Sequence, residues 1–241
     1  MKRCFDIFAS IIGLFLLSPI ILLSVMAVYL QDFNFPFYVA SRVGRNSKSF
    51  KMIKLRSMSV NADKSGVSST SNDDVRITKV GHFIRKFKLD ELVQLINVVK
   101  GDMSLVGPRP NVKVETDLYS SEERRLLSVR PGITDFSSIV FSDEGAILEG
   151  RDDPDLSYNQ LIRPGKSYLG LFYVDNRSLL LDVFLIAVTV VAIFSRQAAL
   201  RLIVSSLRML GAQEFLLEIA ARRTPLEAIP PPGMGEIVST R

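Results

Sequence analysis

The sequence predicts a mixed α/β, membrane-associated protein with an N-terminal helix broken near its middle, amphipathic helices beside it and a small globular domain with short strands. Two observations point to this class. The chain of 241 residues opens on a long apolar run. Hydrophobic residues make up 47% of the sequence, and the mean hydropathy is +0.23. That share is high for a soluble domain and indicates that part of the surface meets lipid.

The apolar run extends from Cys4 to Leu30, and Asp6 is its single charged residue. It is long enough to cross a bilayer, which takes about 20 apolar residues. An excess of lysine and arginine normally marks the cytoplasmic side of such a run. Both flanks are basic here, so they do not choose an orientation: Lys2 and Arg3 precede the run, and Arg42, Arg45, Lys48, Lys51, Lys54 and Arg56 follow it.

Ser18 and Pro19 stand in the middle of this run. Proline removes a backbone hydrogen bond and clashes with the preceding turn, so a kink or break is expected there. A helix broken at its middle could enter and leave the same leaflet, whereas a kinked helix could equally span the bilayer. A signal peptide is a third reading, but the run is too long for one.

The rest of the chain alternates short elements. Residues 35–39 and 50–55 read as extended segments, and residues 64–74 form a polar loop of small residues. Residues 89–99 carry apolar side chains at helical spacing, and Lys100 and Gly101 end that helix in the expected order. Residues 122–129 predict another short helix, stopped by Pro131 and Gly132.

The C-terminal part begins with a second apolar run at residues 179–193, which is too short for a confident crossing and predicts a buried or interfacial helix. Residues 196–223 have a basic amphipathic pattern, typical of a helix on a membrane surface or against a partner helix. The tail from Pro225 contains three consecutive prolines and predicts a flexible end. We therefore divide the chain into residues 1–32, a membrane helix; 33–195, a globular domain; and 196–241, an extension.

Charge and cysteine content limit the function. The net charge is +5 with a pI near 9.4, which favours anionic partners such as phosphate groups, acidic lipids or nucleic acid. Nucleic acid ranks last, because clustered aromatic stacking residues among the cations are missing. Cys4 is the sole cysteine, so an intramolecular disulfide framework and a thiolate metal cluster are excluded. A reducing, cytosol-facing location fits.

Asp90 and Glu91 are expected at the cap or first turn of the helix at 89–99, where free N–H groups and the helix dipole favour negative charge. An ordinary helix cap would explain one such acid. The cations Arg85, Lys86 and Lys88 lie just upstream. An ionised aspartate among phosphate-binding cations could attack phosphorus.

Arg109 stands between Pro108 and Pro110, so its backbone is stiff and its planar fork is held for bidentate phosphate recognition. An exposed arginine in a structural turn is the alternative. Lys54 and Arg85 could be solvated surface charges, or could dock on anionic headgroups. His82, the single histidine, fits a surface or structural role. A confident Ser/His/Asp triad, a glycine-rich P-loop and zinc-ligand spacing are all missing from the sequence.

Three stretches together carry a family resemblance: "RVGRNSKSFKMIKLRSM" at 42–58, "DVRITKVGHFIRKFKLDELVQLINVVKGDMSLVGPRP" at 74–110 and "RPGIT" at 130–134. They resemble, in order and spacing, the successive blocks of the bacterial monotopic phosphoglycosyl transferases. The resemblance covers residues 1–195, and it matches the small form of that family.

The resemblance implies an enzyme on the cytoplasmic face of the bacterial inner membrane. It implies transfer of a sugar phosphate from a UDP-sugar to undecaprenyl phosphate, the first membrane step of cell-surface glycan synthesis. In the implied mechanism Asp90 attacks the β-phosphorus, UMP leaves, and the lipid phosphate then attacks the aspartyl-phosphosugar. Mg²⁺ is the implied cofactor, held by Asp90 and Glu91.

The resemblance also assigns positions. Ser18 and Pro19 fall on the family's break in a re-entrant, monotopic helix, and Arg109 falls on its phosphate-contacting arginine. Lys54 and Arg85 match its basic positions. Asp182 matches an acid of the closing block "LGLFYVDNRSLLLD", a further candidate site residue.

The sequence departs from the pattern at three positions. Lys88 often is serine in the family, Val93 often is proline, and Gly170 replaces an expected acid, which weakens the donor or metal contacts inferred there. An alternative function is a membrane-anchored, non-catalytic scaffold that binds anionic lipid or polysaccharide-assembly partners. The transferred sugar cannot be read, because loops such as 64–74 and 140–165 would shape its pocket. Self-association into a homo-oligomer is left open.

Overall fold

The computed structural model describes residues 1–62 and 69–239 and has the mixed helix and strand content that the sequence predicts. The predicted loop at 64–74 lies partly outside the described residues. The helices are α1 (Lys2–Leu30), α2 (Lys79–Lys86), α3 (Leu95–Lys100), α4 (Lys113–Asp117), α5 (Phe136–Val140), α6 (Glu144–Ile147), α7 (Pro154–Ser157), α8 (Arg163–Asn176), α9 (Leu179–Phe194), α10 (Arg196–Met209) and α11 (Glu214–Ala221). The strands are β1 (Phe37–Val43), β2 (Ser49–Leu55), β3 (Ser104–Val106) and β4 (Gly132–Thr134).

Short 3₁₀ and π-helical segments lie between or next to several of these elements. The 3₁₀ helices cover Arg45–Ser47, Leu89–Gln94 and Glu123–Ser128, and a π-helical turn covers Tyr158–Ile162. The helix predicted at 89–99 therefore begins as a 3₁₀ turn and becomes α-helical only at Leu95. Its predicted end is confirmed, because Gly101 caps α3 with φ of +100°.

Helix α1 is uninterrupted from Lys2 to Leu30, so the helix has no gap at Ser18 and Pro19, while the predicted kink of its axis there stays a prediction. Pro19 lacks the N–H that would bond to the carbonyl of Phe15 four residues earlier. The Ser18 hydroxyl donates to that same carbonyl at 2.7 Å and so replaces the missing bond. At 29 residues the helix is about 43 Å long, and it is the one described helix that is long and apolar enough to cross a membrane.

The N-terminal end of α1 is fixed to the globular domain. Lys2 forms an ion pair with Asp182 at 2.5 Å and donates to the carbonyl of Val106 at 3.1 Å. Asp6, buried in an otherwise apolar helix, accepts from the Ser104 hydroxyl at 2.8 Å. A buried carboxylate needs such partners, because the alternative is an unpaired charge out of water.

The C-terminal end of α1 is fixed to the same domain. Val28 is fully buried, and Asp32, two residues beyond the helix, pairs with Arg56 through two bonds of 2.6 and 2.7 Å. Between its ends α1 packs against α3 and the turn Leu89–Gln94. Its other side leaves large apolar side chains exposed, among them Phe8, Phe15, Leu16, Leu22, Leu23 and Met26.

The strands form two small sheets. Strands β1 and β2 are an antiparallel hairpin with Phe37 opposite Leu55 and Val43 opposite Ser49. The two predicted extended segments are thereby confirmed. The first, predicted at residues 35–39, begins two residues later and ends four residues later. Strands β3 and β4 are parallel, with Ser104 opposite Gly132. There the chains approach so closely that a Cβ on Gly132 would lie 2.1 Å from the Gly107 nitrogen, which only glycine permits.

The main core is built by the helices after β4. It joins Phe136 and Ile139 of α5, Leu169 of α8, Leu185 of α9 and Ile203 of α10. The predicted helix pattern at 196–223 is confirmed as α10 and α11. Part of their apolar surface packs on this core, which agrees with the alternative of packing against a partner helix, while Leu202, Met209 and Phe215 stay exposed and contact with a membrane surface stays a prediction. The basic side chains Arg201 and Arg208 are exposed.

The tail after Ala221 has no helix or strand among its described residues, but it lies against the domain. Pro231 and Pro232 are buried, and the carbonyl of Pro232 accepts from the Ser120 hydroxyl at 2.5 Å. Gln160 donates to the carbonyl of Val238 at 2.9 Å. The described part of the tail therefore contacts the domain at these points, and its predicted flexibility stays a prediction. The division into three domains stays a prediction.

Candidate active site

The predicted acid pair lies in the turn Leu89–Gln94, between α2 and α3. Lys88 precedes it in a left-handed conformation with φ of 54°, which turns the chain out of α2 and into the site. Asp90 and Glu91 are both buried, at 7% and 8% exposure. Burial of two adjacent acids is costly unless cations compensate them.

Two cations compensate the charge of Glu91. Its Oε1 accepts from Lys54 Nζ at 3.0 Å and from Arg109 Nη2 at 2.5 Å. Lys54 comes from β2 and Arg109 from the turn after β3, so three separate segments meet at one carboxylate oxygen. The structure thus brings together the acid pair and two of the three predicted phosphate-binding cations.

Asp90 is held differently. Its Oδ2 lies 3.8 Å from Lys54 Nζ, which is an ion-pair distance but too long for a hydrogen bond. Among the described residues its carboxylate accepts no hydrogen bond. A buried carboxylate with unused lone pairs, next to cations, is free to interact with an incoming group.

Electrostatics separate the two acids. Burial raises the pKa of Asp90 above its ordinary value, while Lys54 opposes this and Glu91 adds to it. Burial would also raise the pKa of Glu91, but Arg109, Lys54 and Lys88 outweigh it and hold that pKa well below the ordinary range. Glu91 is therefore firmly ionised, whereas the charge on Asp90 is poorly compensated.

Arg109 is positioned by close backbone contacts. Gly107 donates to the carbonyl of Thr134 at 3.0 Å, and Gly132 donates to the carbonyl of Pro108 at 3.0 Å. The proline-flanked turn is therefore tied to β4, and Arg109 extends from a rigid base. Its charge is stabilised chiefly by Glu91, which raises the pKa of the guanidinium.

Two cavities meet at Asp90. The α9 cavity, of about 630 Å³, is lined by Lys88, Ser138, Ala192, Ile193 and Arg196 among others. The hairpin cavity, of about 710 Å³, is lined by Phe37, Tyr38, Arg42, Asn111 and Tyr158 among others. Asp90, Lys54, Arg85 and Arg109 line both, and so do Thr70, Glu144 and Lys166. Arg85, the third predicted cation, is thus placed at the site.

The remaining predicted residues lie elsewhere. Asp182 is not among the residues that line either cavity. It is 1% exposed and binds Lys2 and the Tyr173 hydroxyl, the latter at 2.6 Å, so it anchors α1. Ser18 and Pro19 lie in the exposed middle of α1. His82 is exposed on α2 and lines the edge of the α9 cavity, as a surface residue.

Sequence reasoning missed Glu144 and Lys166 as individual residues. They form an ion pair that lines both cavities, from α6 and α8. The sequence analysis pointed to residues 140–165 as a region that shapes the sugar pocket, and Glu144 falls inside it. Nothing in the spacing of the two residues indicates that they meet, because irregular chain and two helices lie between them.

The site offers a partial set of Mg²⁺ ligands. Among the described residues the bonds of Glu91 fall on Oε1, so its Oε2 and the Asp90 carboxylate remain available. The described residues contain no group of three or more potential ligands. Mg²⁺ commonly takes one or two carboxylates and completes its shell with water and substrate phosphates. Asp90 and Glu91 fit that role only together with a phosphate ligand.

Comparisons with known proteins identify the family of this chain. A family model described as bacterial sugar transferase matches residues 1–196. The chain is 36% identical to the exopolysaccharide production protein ExoY of Sinorhizobium fredii (strain NBRC 101917 / NGR234), over 80% of this chain and 84% of that protein. It is 33% identical to a UDP-N-acetylgalactosamine-undecaprenyl-phosphate N-acetylgalactosaminephosphotransferase of Aeromonas hydrophila, over 79% of this chain.

A UDP-galactose-lipid carrier transferase of Erwinia amylovora is 34% identical over 83% of this chain. The matches cover 43% and 41% of the Aeromonas and Erwinia proteins, so the chain corresponds to less than half of each. It covers most of ExoY. The residues matched by the family model, 1–196, include all of the site residues described above.

Proposed function

This chain belongs to the bacterial sugar transferase family, and we propose that it transfers a sugar 1-phosphate from a UDP-sugar to undecaprenyl phosphate and releases UMP. The reaction would begin the membrane stage of a cell-surface glycan, such as an O-antigen, capsule, exopolysaccharide or glycoprotein. The names of the relatives support both substrates. The observation that carries the proposal is the Asp90 carboxylate, buried at the junction of two cavities, beside cations and without a hydrogen bond.

In the proposed first step an Asp90 oxygen attacks the β-phosphorus of the donor. A new oxygen–phosphorus bond forms, the bond from that phosphorus to the bridging oxygen breaks, and UMP leaves with the electron pair. In the second step an oxygen of the lipid phosphate attacks the same phosphorus and the aspartate is released. Neither step needs a proton transfer, so a carboxylate without a neighbouring base is sufficient.

The cations supply positioning and charge. Lys54 and Arg109 neutralise Glu91 in this structure and lie where the diphosphate must approach Asp90. A phosphate oxygen can share these donors, because an ammonium has three donors and a guanidinium five. Arg85 would add a third positive group from α2. Bound Mg²⁺ would offset negative charge on the diphosphate, with Asp90 and Glu91 as its protein ligands.

The two cavities suit two substrates that use one carboxylate in turn. The α9 cavity is bordered by Ala192 and Ile193, on a helix with exposed apolar side chains, so we assign it to the lipid phosphate. The hairpin cavity has Phe37 and Tyr38 rings and the Asn111 amide, groups that stack on a base or bind its polar edge, so we assign it to the nucleotide.

The two fixed ends of α1 support insertion into one leaflet from the cytoplasmic face of the inner membrane. Lys2 and Asp32 both bind the same globular domain, at opposite ends of the helix. A straight spanning helix would place those ends on opposite sides of the bilayer, and a domain on one side could not hold both. The exposed apolar side of α1 then faces lipid while its buried side packs on α3.

The topology can be tested with a membrane-impermeant maleimide. Cys4, the sole cysteine, is exposed at the N-terminal end of α1. Asn34→Cys in a Cys4→Ser background reports on the other end. Both cysteines should react in inverted vesicles and stay unreactive in intact cells. Reaction of the two from opposite sides would exclude monotopic insertion.

The reaction is tested by UMP release from a panel of UDP-sugars, with and without undecaprenyl phosphate and Mg²⁺. We expect sustained release with the acceptor, and without it a burst that does not exceed one UMP per enzyme. Mass spectrometry of enzyme trapped in the burst should find the phosphosugar on Asp90. An adduct on another side chain would refute the mechanism, and binding without any UMP release would favour the scaffold alternative.

A further inference from the structure

The sugar is the part of the donor that must remain in place through both half-reactions. In the proposed mechanism UMP leaves after the first step and the lipid phosphate arrives for the second. Between the two steps the sugar is attached to Asp90 through the transferred phosphoryl group. Residues that hold the sugar should therefore line both cavities, whereas residues specific for nucleotide or lipid should line one.

Few of the described residues line both cavities. Asp90 is the attacking group, and Lys54, Arg85 and Arg109 are the cations suited to phosphate. Thr70, Glu144 and Lys166 remain. Glu144 and Lys166 form an ion pair with each other rather than with the acid pair. They are thus a second polar group at the junction, next to the phosphate-binding cations.

The pair is held firmly in place. Glu144 begins α6, and the carbonyl of the next residue, Gly145, accepts from the Asn72 backbone at 3.0 Å. A Cβ at Gly145 would lie 2.2 Å from Asn72 Oδ1, so α6 and this segment are in close contact here. Lys166 lies on α8 with its Nζ 5.1 Å from the centre of the Tyr158 ring, a cation–π contact.

Hydrogen-bonding capacity remains on both side chains. The bond between them uses Oε2 of Glu144, and among the described residues Oε1 accepts none. The Lys166 ammonium has three donors, of which this bond uses one. The side chains of Glu144 and Lys166 are 32% and 14% exposed, so both border the cavities without being freely solvated. A sugar hydroxyl can donate to the carboxylate and accept from the ammonium at the same time.

We propose that Glu144 and Lys166 are the sugar-binding residues of this enzyme and that they select a neutral hexose through its ring hydroxyl or acetamido groups. The inference rests on the proposed function and adds the substrate class to it. An acidic sugar would be disfavoured, because its carboxylate would meet the carboxylate of Glu144. The pair itself is neutral overall, so it adds no attraction for the phosphates.

The test compares the purified full chain with Glu144→Gln and Lys166→Met. UMP release is measured with UDP-glucose, UDP-galactose, UDP-N-acetylglucosamine, UDP-N-acetylgalactosamine and UDP-glucuronate, and inhibition is measured with UMP, which carries no sugar. Asp175→Asn is the matched control, since it removes an exposed ion pair with Arg125. Thermal unfolding of each variant shows whether the fold is retained.

For Glu144→Gln we expect kcat/KM of the best neutral donor to fall by roughly tenfold to a hundredfold, the usual effect of losing a hydrogen bond to a charged group. The fall in kcat/KM for UDP-glucuronate should be smaller, so the ratio of kcat/KM between the best neutral donor and UDP-glucuronate decreases. Inhibition by UMP should change by less than about twofold, as for substitutions away from a ligand. Lys166→Met should reduce turnover of all sugars and leave UMP inhibition equally unaffected.

Other results overturn the assignment. Weaker inhibition by UMP in parallel with lower turnover would place the pair at the nucleotide. An equal loss for every donor with a lower unfolding temperature in both variants would make the pair structural. Unchanged donor preference in Glu144→Gln, while the wild type remains active and Asp90→Asn inactive, refutes only the sugar-binding role. Failure of the wild type to release UMP from any donor refutes the proposed function as well.

Discussion

Two groups of buried carboxylates among the described residues, one at the anchor of α1 and one at the candidate active site, have opposite surroundings. At the anchor of α1, Asp182 binds Lys2 at 2.5 Å and Tyr173 at 2.6 Å, and Asp6 binds Ser104 at 2.8 Å. At the candidate active site Asp90 is also buried, at 7% exposure, yet within the described residues it accepts no hydrogen bond and has one cation at 3.8 Å.

The difference indicates which carboxylates stabilise the fold and which one is kept for chemistry. A buried acid whose lone pairs are filled by donors has low energy and little reactivity. A buried acid with unfilled lone pairs costs stability, and the cost persists only where the surrounding structure enforces it. Both Asp90 and Asp182 are buried, so what distinguishes them is the number of hydrogen bonds that each carboxylate accepts.

The largest expected effect comes from replacing Asp90, whose carboxylate accepts no hydrogen bond among the described residues. Asp90→Asn should reduce sugar-phosphate transfer by at least about a thousandfold, since loss of a nucleophile usually costs more than that. The same change should raise the unfolding temperature, because an asparagine needs less compensation than a buried charge whose pKa is raised. UMP release and thermal unfolding are the measurements. Near-normal turnover in this variant would falsify the assignment of Asp90.

The next largest effect is expected at Asp182, whose carboxylate accepts hydrogen bonds from Lys2 and Tyr173. Asp182→Asn should lower stability by about 2 kcal/mol, since it breaks a buried ion pair and leaves Lys2 without its partner. For a chain of this size that corresponds to a fall in the unfolding temperature of roughly 4–8 °C. KM for the UDP-sugar should not change. A raised KM with unchanged stability would return Asp182 to the active site.

Glu91 is intermediate, because it is both paired and part of the site. Glu91→Gln should lower kcat by about tenfold to a hundredfold, as loss of charge-assisted contacts usually does. It should also raise the Mg²⁺ concentration required for half-maximal turnover, which a titration of the metal measures. An unchanged metal requirement would leave Glu91 as a partner of Lys54 and Arg109 alone.

The two acids of the site should also differ in pH dependence. Asp90 must be ionised to attack, and its pKa is raised, so turnover should fall as pH falls, with a midpoint above the ordinary value of 3.8. Glu91 has a lowered pKa, so the stability it contributes is fully present above its unfolded value of 4.5 and is lost as pH falls through its lower folded pKa. Activity should therefore disappear at a higher pH than the contribution of Glu91 to stability.

The smallest effect is expected at the exposed pair of Arg125 and Asp175, whose side chains are 48% and 50% exposed. Asp175→Asn should change stability by less than about 0.5 kcal/mol, because solvent screens such pairs. Turnover should equal that of the wild type. A large loss in this variant would mean that substitution of any aspartate affects the assay, and would remove the contrast between Asp90 and Asp182.

The sequence predicts the parts of the site that lie in short, rigid segments. Asp90 and Glu91 follow a cluster of cations, and Arg109 lies between two prolines, so local chemistry already indicates a phosphate site. Lys54 could be named as a candidate, but its contact with Glu91 depends on how β2 lies against the 3₁₀ turn, which spacing does not encode. The same limit applies to Glu144 and Lys166.

The errors have physical causes as well. Pro19 predicted a break, but the Ser18 hydroxyl binds the carbonyl that proline leaves free, and the helix continues. The periodicity of residues 196–223 correctly predicts helices, yet periodicity reports only that a face is apolar. It does not report whether lipid, a partner or the chain's own core covers that face. Asp182 was expected at the site because it follows a family pattern; in the structure it binds Lys2, which is 180 residues away in sequence, and its role in the site stays a prediction.

That separation has a consequence for how the protein is made. The binding partners of Lys2 are Val106, Tyr173 and Asp182, so they are not all present until residue 182 has left the ribosome. Helix α1 precedes that segment in the chain, so it leaves the ribosome before the residues that hold its N-terminal end. The contacts that fix α1 to the domain can therefore form only after Asp182 has emerged.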